Sequence, residues 1–428
     1  MANIDEKEIT INEIAADISK SIKFVRRVIA VGAINSHKVK NKTLVYESDY
    51  LKWKEDYLSG NISDEMYAPA PNGKPPVPDI VNFTDISEEM GAVDGWRNNA
   101  HLRDFNFIDL FTGAGGLSCG LVMAGMRPVG SVEIMPQAVQ TYKNNFSRVD
   151  GFDENVVERD IRQAEVKREL INSVEGRHIH LIAGGFPCQG FSMAGNRIVT
   201  DPRNSLYSEM LEIVGEIMPD YVLMENVEGL RTMLGGEVEK KIIADYERLG
   251  YRINVTVLNS ADYGVAQMRR RVIFIGNRID AVNYHPQPVL APDNYVTVGD
   301  VLGRYLDMPE DKSINHIFAR TSEDMHRRLA AVPVGASLYG NYSDAWKKVD
   351  WNKPSCTVKE NHGGVNIHPI LNRVMTPREL ATLQSFPEDF IFSGSKKWQL
   401  VQIGNAVPPL LGKAVGLAIL KSYEERNL

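Results

Sequence analysis

Three groups of side chains in this 428-residue chain have types and settings suited to covalent chemistry. The first is a thiol. In LIAGGFPCQGFSMAGN, residues 181–196, an apolar run stops at two glycines and is followed by Pro187, Cys188 and Gln189. Such a run reads as a strand, and the loop after it exposes Cys188 at the carboxyl edge of a sheet, where open α/β folds bind their ligands. A thiolate there is a nucleophile. The second group, Glu225 and Asn226 in LMENVEGL, ends another apolar run at the same edge, and a carboxyl group beside a thiol makes an acid/base pair. The third is QMRRRVIFIG. Strand alternation sends Arg269 and Arg271 to one face and Arg270 to the other, where the first two suit a base carbonyl or a phosphate. The plainer alternatives are a helix N-terminal acid at Glu225 and solvated charge at the arginines.

A ligand cleft is indicated upstream. DLFTGAGGLSCG places Gly113, Gly115 and Gly116 after a strand and at the start of a helix, where the backbone can be approached closely. Glu133 lies twenty residues after Gly113, at the end of a second strand, the position of an acid that accepts from a ribose diol. Asp160, in VVERDIRQ, ends a third strand and can accept from an adenine amino group. No phosphate-binding Lys–Ser/Thr follows the glycines, so a nucleoside cofactor such as S-adenosylmethionine fits better than a nucleotide. A tight strand–helix turn is the alternative for the glycine loop taken alone. A dehydrogenase reading of it leaves Cys188 and Glu225 unexplained.

These groups need elements to hold them. From Phe105 the chain alternates apolar strands (FNFIDLF, PVGSVEI, HIHLIAGG, DYVLMENV, and YRINVTVLNS with RRRVIFIG as a closing pair) with helical segments, which predicts a Rossmann-like α/β sheet. Residues 280–373 lack that rhythm and carry many prolines and short polar turns; helices return at TPRELATLQSFPEDF and QIGNAVPPLLGKAVGLAILKSY. Before residue 60, ITINEIAADISKSIKFVRRVIAVGAI reads as helix, turn and helix. HKVKNKTLVYES reads as a hairpin, and SDYLKWKEDYL as a further helix capped by Ser48. Seven Lys/Arg and no acid lie between Lys20 and Lys42, among them Lys23, Arg26 and Arg27, a pattern resembling a helix-turn-helix with a basic wing. APAPNGKPPVP then reads as an extended linker, and FTDISEEMGAVDGW as a segment that packs on the next domain.

Composition bounds the class. Hydrophobic residues at 43% and charged residues at 24% are ordinary for a globular protein, and the net charge of −7 confines any nucleic-acid contact to a local basic patch. Three separated cysteines offer neither a disulfide framework nor zinc spacing, so reduced thiols in a cytoplasm and no metal are expected. No signal-peptide pattern opens the chain, and the longest uncharged run contains glycines, a proline and a glutamine, so no membrane association is expected.

Taken together and in this order, FIDLFTGAGGLSCG, GFPCQGFS, MENVEGL, QMRRRVIFIG, RVMTPRELATLQSFPEDF and QIGNAVPPLLGKAVG resemble the motifs of the DNA cytosine-5 methyltransferases, over roughly residues 105–280 and 370–428. The resemblance is to the prokaryotic restriction-modification type, with a helix-turn-helix-like extension. It implies S-adenosylmethionine as donor, bound by Phe111, Gly113, Gly115, Gly116, Glu133, Ile134, Asp160, Ile161, Pro187 and Asn405. It implies Cys188 as nucleophile, with Gln189, Glu225, Asn226, Arg269 and Arg271 around the base. Thiolate addition to carbon 6 of cytosine makes carbon 5 nucleophilic enough to take a methyl group, after which the carbon-5 proton leaves and the thiol is expelled.

The reaction requires the base to be flipped out of duplex DNA. Ser192 and Arg197, in the loop after Cys188, are candidates for phosphate contacts as it closes, and Thr357 matches the Thr-containing element of a target-recognition region. The domains expected are 1–59 (winged helix-turn-helix-like), 60–101 (linker), 102–279 (catalytic), 280–397 (target recognition) and 398–428 (a segment completing the catalytic domain). The partners expected are duplex DNA and a cognate restriction endonuclease, with the enzyme acting as a monomer. A transfer-RNA cytosine-5 methyltransferase resembles the same motifs, and a transcription regulator with a methyltransferase-like domain is the reading from a different class.

Overall fold

The structure is a computed structural model that describes residues 7–20, 22–30, 34, 36–39, 42–59, 81–91, 96–97, 103–149, 156–187, 205–340, 346–359 and 365–426. The expected α/β rhythm becomes a seven-stranded sheet. Its spatial order is Arg252–Asn259, Arg270–Asn277, Tyr221–Val227, Leu181–Gly184, Asn106–Leu110, Arg127–Glu133 and Val156–Glu158. The last five run parallel; Arg270–Asn277 is antiparallel to Tyr221–Val227 and to Arg252–Asn259, the closing pair. The strand order reverses between Asn106–Leu110 and Leu181–Gly184. In an open α/β sheet the crevice beyond the carboxyl ends of two such strands is a ligand site. The glycine loop and Gly185–Pro187 leave the sheet at that point.

The sheet belongs to a compact unit formed by Pro78–Glu228 and Ile243–Leu428. Its core joins sheet residues such as Phe107, Leu181 and Ile275 to Leu380, Phe386 and Phe390 and to the C-terminal helix Pro409–Arg426. That helix crosses Gly116–Met123 through glycines spaced four apart on each partner. A Cβ on Gly120 would stand 2.3 Å from the Pro409 carbonyl oxygen, and one on Gly416 2.9 Å from the Ala124 Cβ. The stretch Lys396–Arg426 is long and apolar enough to cross a membrane by composition, but most of it is buried within the protein. Between the sheet and this helix the chain follows the irregular course expected of 280–373, with short 3-10 turns and isolated bridges around helix Glu323–Ala331.

Part of the stretch expected as a linker, 60–101, is structured. Strand Asn82–Thr84 pairs in parallel with Tyr284–Pro286, Ile86 and Trp96 are buried in the core, and the Trp96 indole donates to Asp389 Oδ1 at 3.1 Å. The described residues of FTDISEEMGAVDGW, Ile86 and Trp96 among them, thus pack on the unit that holds the sheet, as expected. The proline-rich 60–80 lies outside the described residues.

A second unit comprises Met1–Val77 with Gly229–Ile242. Within it Glu8–Thr10, Lys42–Tyr46 and Ser36–Val39 form a three-stranded antiparallel sheet, with helices Ile11–Asp17 and Ile22–Ala30 between its first two strands in sequence. Thr10 and Glu13 close a capping box on the first helix, whose Ile14 and Ala15 are buried with Phe24, Val25, Val28, Val45, Tyr50 and Trp53. The third helix is Glu47–Leu58, with Tyr46 at its cap and Ser48 already inside the first turn, so Ser48 is not the cap the sequence suggested. The side chains of Lys23, Arg26 and Arg27, on the second helix, lie outside the described part.

Candidate active site

A cavity of about 750 Å³ opens at the switch point, entirely within the larger unit. Its lining includes Phe111, Gly113, Gly116, Glu133, Ile134, Asp160, Ile161, Pro187, Glu225, Asn226, Arg269, Arg271 and Asn405, so segments separated by almost three hundred residues meet there. Cys188, Gln189, Ser192 and Arg197 lie outside the described residues, which stop at Pro187, on the cavity rim.

The glycine loop leaves the sheet through Phe111, which holds a left-handed φ of 60°, and Gly113, at 56°. The glycines divide the work. Among the described residues nothing lies within 4 Å of a Cβ placed on Gly113, which lines the cavity. A Cβ on Gly115 would meet the Phe146 ring at 2.6 Å, and one on Gly116 the Val407 carbonyl oxygen at 2.3 Å. Those two let the loop sit on its own scaffold, and Gly115 is not part of the lining.

Glu133 is fixed by its own backbone. Oε2 accepts from Gly113 N at 2.8 Å, and Oε1 from Ile134 N at 2.9 Å and Met135 N at 2.8 Å. Burial raises its pKa against those hydrogen bonds. Asp160 is gripped by Arg162, whose Nε lies 2.9 Å from Oδ1 and whose N–H donates to the same oxygen at 3.0 Å; the side-chain bond holds the carboxyl below its usual range. Ile134 is exposed at the rim and Ile161 is buried. Beneath the loop sits an acid the sequence reasoning passed over. Asp109 is 1% exposed and accepts from Thr112 Oγ1 at 2.9 Å and Ser118 Oγ at 2.5 Å. Burial pushes its pKa up to about 7, outweighing the two hydroxyl bonds. The signal available was its place in DLF, three residues before Thr112, inside a strand otherwise wholly apolar after Asn106.

The opposite wall carries the polar pair. Glu225 and Arg271 are diagonal neighbours on adjacent strands, since Glu225 faces Ile273 and Arg271 faces Val227. Arg271 Nε meets Glu225 Oε1 at 2.8 Å, and each side chain is 12% exposed. A Cβ on Gly185 would stand 3.1 Å from Glu225 Oε2, so the second glycine of GGF leaves space for the acid. Asn226 turns back: its Nδ2 donates to the Phe186 carbonyl at 2.9 Å, fixing the segment that leads to Pro187. Arg270 points away and forms a bidentate pair with Glu228. Arg269 lies just before the strand and is 2% exposed. It donates to the carbonyls of Val358, at 2.9 Å, and Gly404, at 3.0 Å. Thr357 donates to the Met268 carbonyl at 2.8 Å.

The donor set suits a sulfonium nucleoside. The carboxyls of Glu133 and Asp160 share a lining with apolar surface from Phe111, Ile134 and Ile161, and no described residue crowds a Cβ position on Gly113. At the other end of the sheet His178, His180 and Asp220 gather within ligand distance of one another. They are not poised for a metal. His180 Nδ1 accepts the Asn106 N–H at 3.0 Å, which puts the ring proton on Nε2, and His178 Nε2 already meets Asp220 at 2.7 Å.

Comparison with known proteins fits this geometry. Residues 105–421 match the model of the C-5 cytosine-specific DNA methylases. The chain belongs to that family. The cytosine-5 methylases transfer a methyl group from S-adenosylmethionine to carbon 5 of cytosine in DNA. The type II methyltransferase M1.HphI of Haemophilus parahaemolyticus is 39% identical over 330 residues, 74% of this chain and 86% of that protein. M.Sau96I of Staphylococcus aureus is 30% identical over 404 residues, 90% of this chain and 89% of its own, so this likeness extends beyond the methylase region into the segment before residue 105. Among solved structures, an Escherichia coli prophage protein assigned as a DNA modification methyltransferase superposes with a TM-score of 0.61 at 26% identity, over 75% of this chain and 99% of its own. The Dnmt2 methyltransferase of S. pombe shares the fold, with a TM-score of 0.53 at 19% identity, over 76% of this chain and 100% of its own.

Proposed function

We propose that this methylase modifies cytosine within a specific duplex sequence through a covalent bond from Cys188, and that it is the modification enzyme of a restriction-modification system. The carrying observation is the cavity at the switch point. Pro187, immediately before Cys188, lines it together with the Glu225–Arg271 pair and the Gly113 loop. In this reading Glu133 and Asp160 hold the ribose and adenine, Phe111, Ile134 and Ile161 cover the adenine, and Asn405 and Pro187 close the methionine end. S-adenosylmethionine, when bound, supplies the methyl group that carbon 5 receives.

The residues on the chain prepare the base. The Cys188 sulfur adds to carbon 6, and Gln189 follows it as part of the catalytic segment. Glu225, held by Arg271, faces ring nitrogen 3, where electron density rises during addition. Arg271, whose Nη1 also donates to the Arg270 carbonyl at 2.8 Å, turns its guanidinium toward the base carbonyl. Asn226 holds the Phe186 carbonyl, two residues before Cys188 in the sequence. Loss of the carbon-5 proton then lets the carbon–sulfur bond break. Ser192 and Arg197 take the backbone of the flipped nucleotide, Thr357 belongs to the DNA-contacting element, and residues 280–397 read the sequence.

Residues 1–59 contact DNA through helix Ile22–Ala30 and the hairpin after it. Relatives named as type II methyltransferases support a cognate endonuclease with the same target, and the enzyme works in the cytoplasm as a monomer on DNA. The likeness to M.Sau96I ahead of the methylase region favours DNA over transfer RNA as substrate.

The test is trapping. A duplex with 5-fluorocytosine at the target, identified by bisulfite sequencing of a host genome that expresses the chain, should give a stable adduct at Cys188 in the presence of S-adenosylmethionine. Cys188→Ser should abolish it while retaining cofactor binding. Methyl transfer to transfer RNA but not to duplex DNA, or an adduct with the serine variant, would overturn the reading.

A further inference from the structure

The segment carrying Thr357 is stitched to the segment carrying Arg269. Ser355 N donates to the Ala266 carbonyl at 2.9 Å and Met268 N to the Ser355 carbonyl at 2.8 Å. Thr357 Oγ1 reaches the Met268 carbonyl at 2.8 Å. Val358 is then held at both backbone groups, its N–H by Gln267 Oε1 at 2.8 Å and its carbonyl by Arg269 Nη1 at 2.9 Å. The other arm of the same guanidinium holds the Gly404 carbonyl at 3.0 Å, next to Asn405. One buried side chain therefore ties the residue after Thr357 to the residue before Asn405.

The electrostatics make this tie unusual. Arg269 is 2% exposed, and the acid acting on it, Glu225, is already paired with Arg271. Its charge is met by two carbonyl dipoles. Arg269 Nε and Gln267 Nε2 are buried with no hydrogen-bond partner among the described residues. The hold on the two carbonyls therefore rests on the Nη arms of Arg269, and that on the Val358 N–H on Gln267 Oε1. Moving either carbonyl would leave a buried cation still less compensated, so the positions of the two segments depend on each other.

We propose that Arg269 is a positioning residue that couples the two ligands of this enzyme: cofactor seated beside Asn405 and DNA seated on Thr357 strengthen each other through its guanidinium fork. The inference rests on the functional reading above. The coupling is positive and, by linkage, the same in both directions. A lysine at 269 keeps the charge but presents an ammonium instead of a planar fork, and so cannot hold two diverging carbonyls with the same geometry.

The experiment uses the full chain and S-adenosylhomocysteine, the demethylated product, as a cofactor-site probe that does not turn over. Its dissociation constant is measured by calorimetry with and without the target duplex, and that of the duplex by anisotropy with and without the probe. In the wild type each ligand should tighten the other by about ten-fold, within the usual range for coupled sites. In Arg269→Lys the factor should fall below about two in both directions. Gln267→Met, which frees the Val358 N–H but leaves Gly404 held, should weaken duplex binding and the coupling while the probe binds as before in the absence of DNA. If Arg269→Lys weakens both ligands yet keeps the wild-type factor, the residue is merely structural and the proposal falls. It falls equally if the wild type shows no coupling. A wild type that binds neither ligand would instead defeat the functional reading.

Discussion

Asp109→Asn is the perturbation that most directly tests how the cavity floor is built. In the folded protein the Asp109 carboxyl has a pKa of about 7, against 3.8 for the free side chain, because burial outweighs two hydroxyl hydrogen bonds. The native state thus holds this proton more tightly than the unfolded chain does. The associated stability is fully present below pH 3.8 and is lost as the pH rises toward 7. A shift of roughly three units at 1.36 kcal/mol each amounts to about 4 kcal/mol across that window. Asparagine keeps an acceptor for Thr112 and Ser118 and has no proton to lose, so any constant offset it introduces is independent of pH. Urea unfolding of variant and wild type at pH 5, 6, 7 and 8 reads the effect, since titrating groups not coupled to Asp109 cancel in the difference and the Glu133 coupling is a smaller cause of the shift than burial. The variant should gain on the wild type by about 2–3 kcal/mol between pH 5 and 7, with the gain levelling off above 7. A difference that stays flat within about 0.5 kcal/mol would show that Asp109 is ionised in the folded state and that the buried-acid argument is wrong.

Two further outcomes follow from packing and burial. Gly120→Ala drives a Cβ into the backbone of Pro409 and Lys413 and should cost about 1–3 kcal/mol or more in thermal unfolding. Gly303→Ala, which has nothing within 4 Å and no positive φ, should be neutral and serves as its control. His285 and His368 are fully buried, and burial lowers the pKa of each from 6.5 to about 4. Both are neutral in the native state, so the stability they contribute is present above pH 6.5 and is lost as pH falls toward 4, about 3 kcal/mol for each. His285→Phe should lose less stability than the wild type between pH 6.5 and 5 in the same urea assay, and an unchanged acid limb would count against the burial argument.

What the sequence made legible was periodicity and punctuation. Strand alternation separated Arg270 from Arg271, and the glycine run marked the turn at 113–116. Alternation says which face a residue takes, however, not which neighbour it finds. Glu225 and Arg271 were each assigned to the base, and only the register of two antiparallel strands reveals that they meet first. Gly115 and Gly116 suggested an approach for a ligand, but rings at 142 and 146 and a carbonyl at 407 are what they make room for. Contacts across such separations leave no local trace. Asp109 escaped notice because a lone acid in an apolar strand resembles an edge residue until its burial is seen. Ile86 and Trp96, by contrast, fall in the stretch that the sequence already marked for packing on the next domain, and both are buried in the core.

The crossing of helix Gly116–Met123 by helix Pro409–Arg426 has a consequence for how the molecule is born. The covering helix begins 409 − 116 = 293 residues after the one it covers. At about 5–20 residues per second a ribosome takes roughly 15–60 s to bridge that interval. Throughout it the nascent chain carries a bare apolar groove, lined by glycine and leucine, with its partner not yet made. Nor can the donor's seat be finished during that time, because Val407 and Asn405 are still to come. The last stretch to be made therefore completes two things at once, the cover of this apolar surface and the seat of the donor, and until then exposed surface of this kind is prone to aggregate.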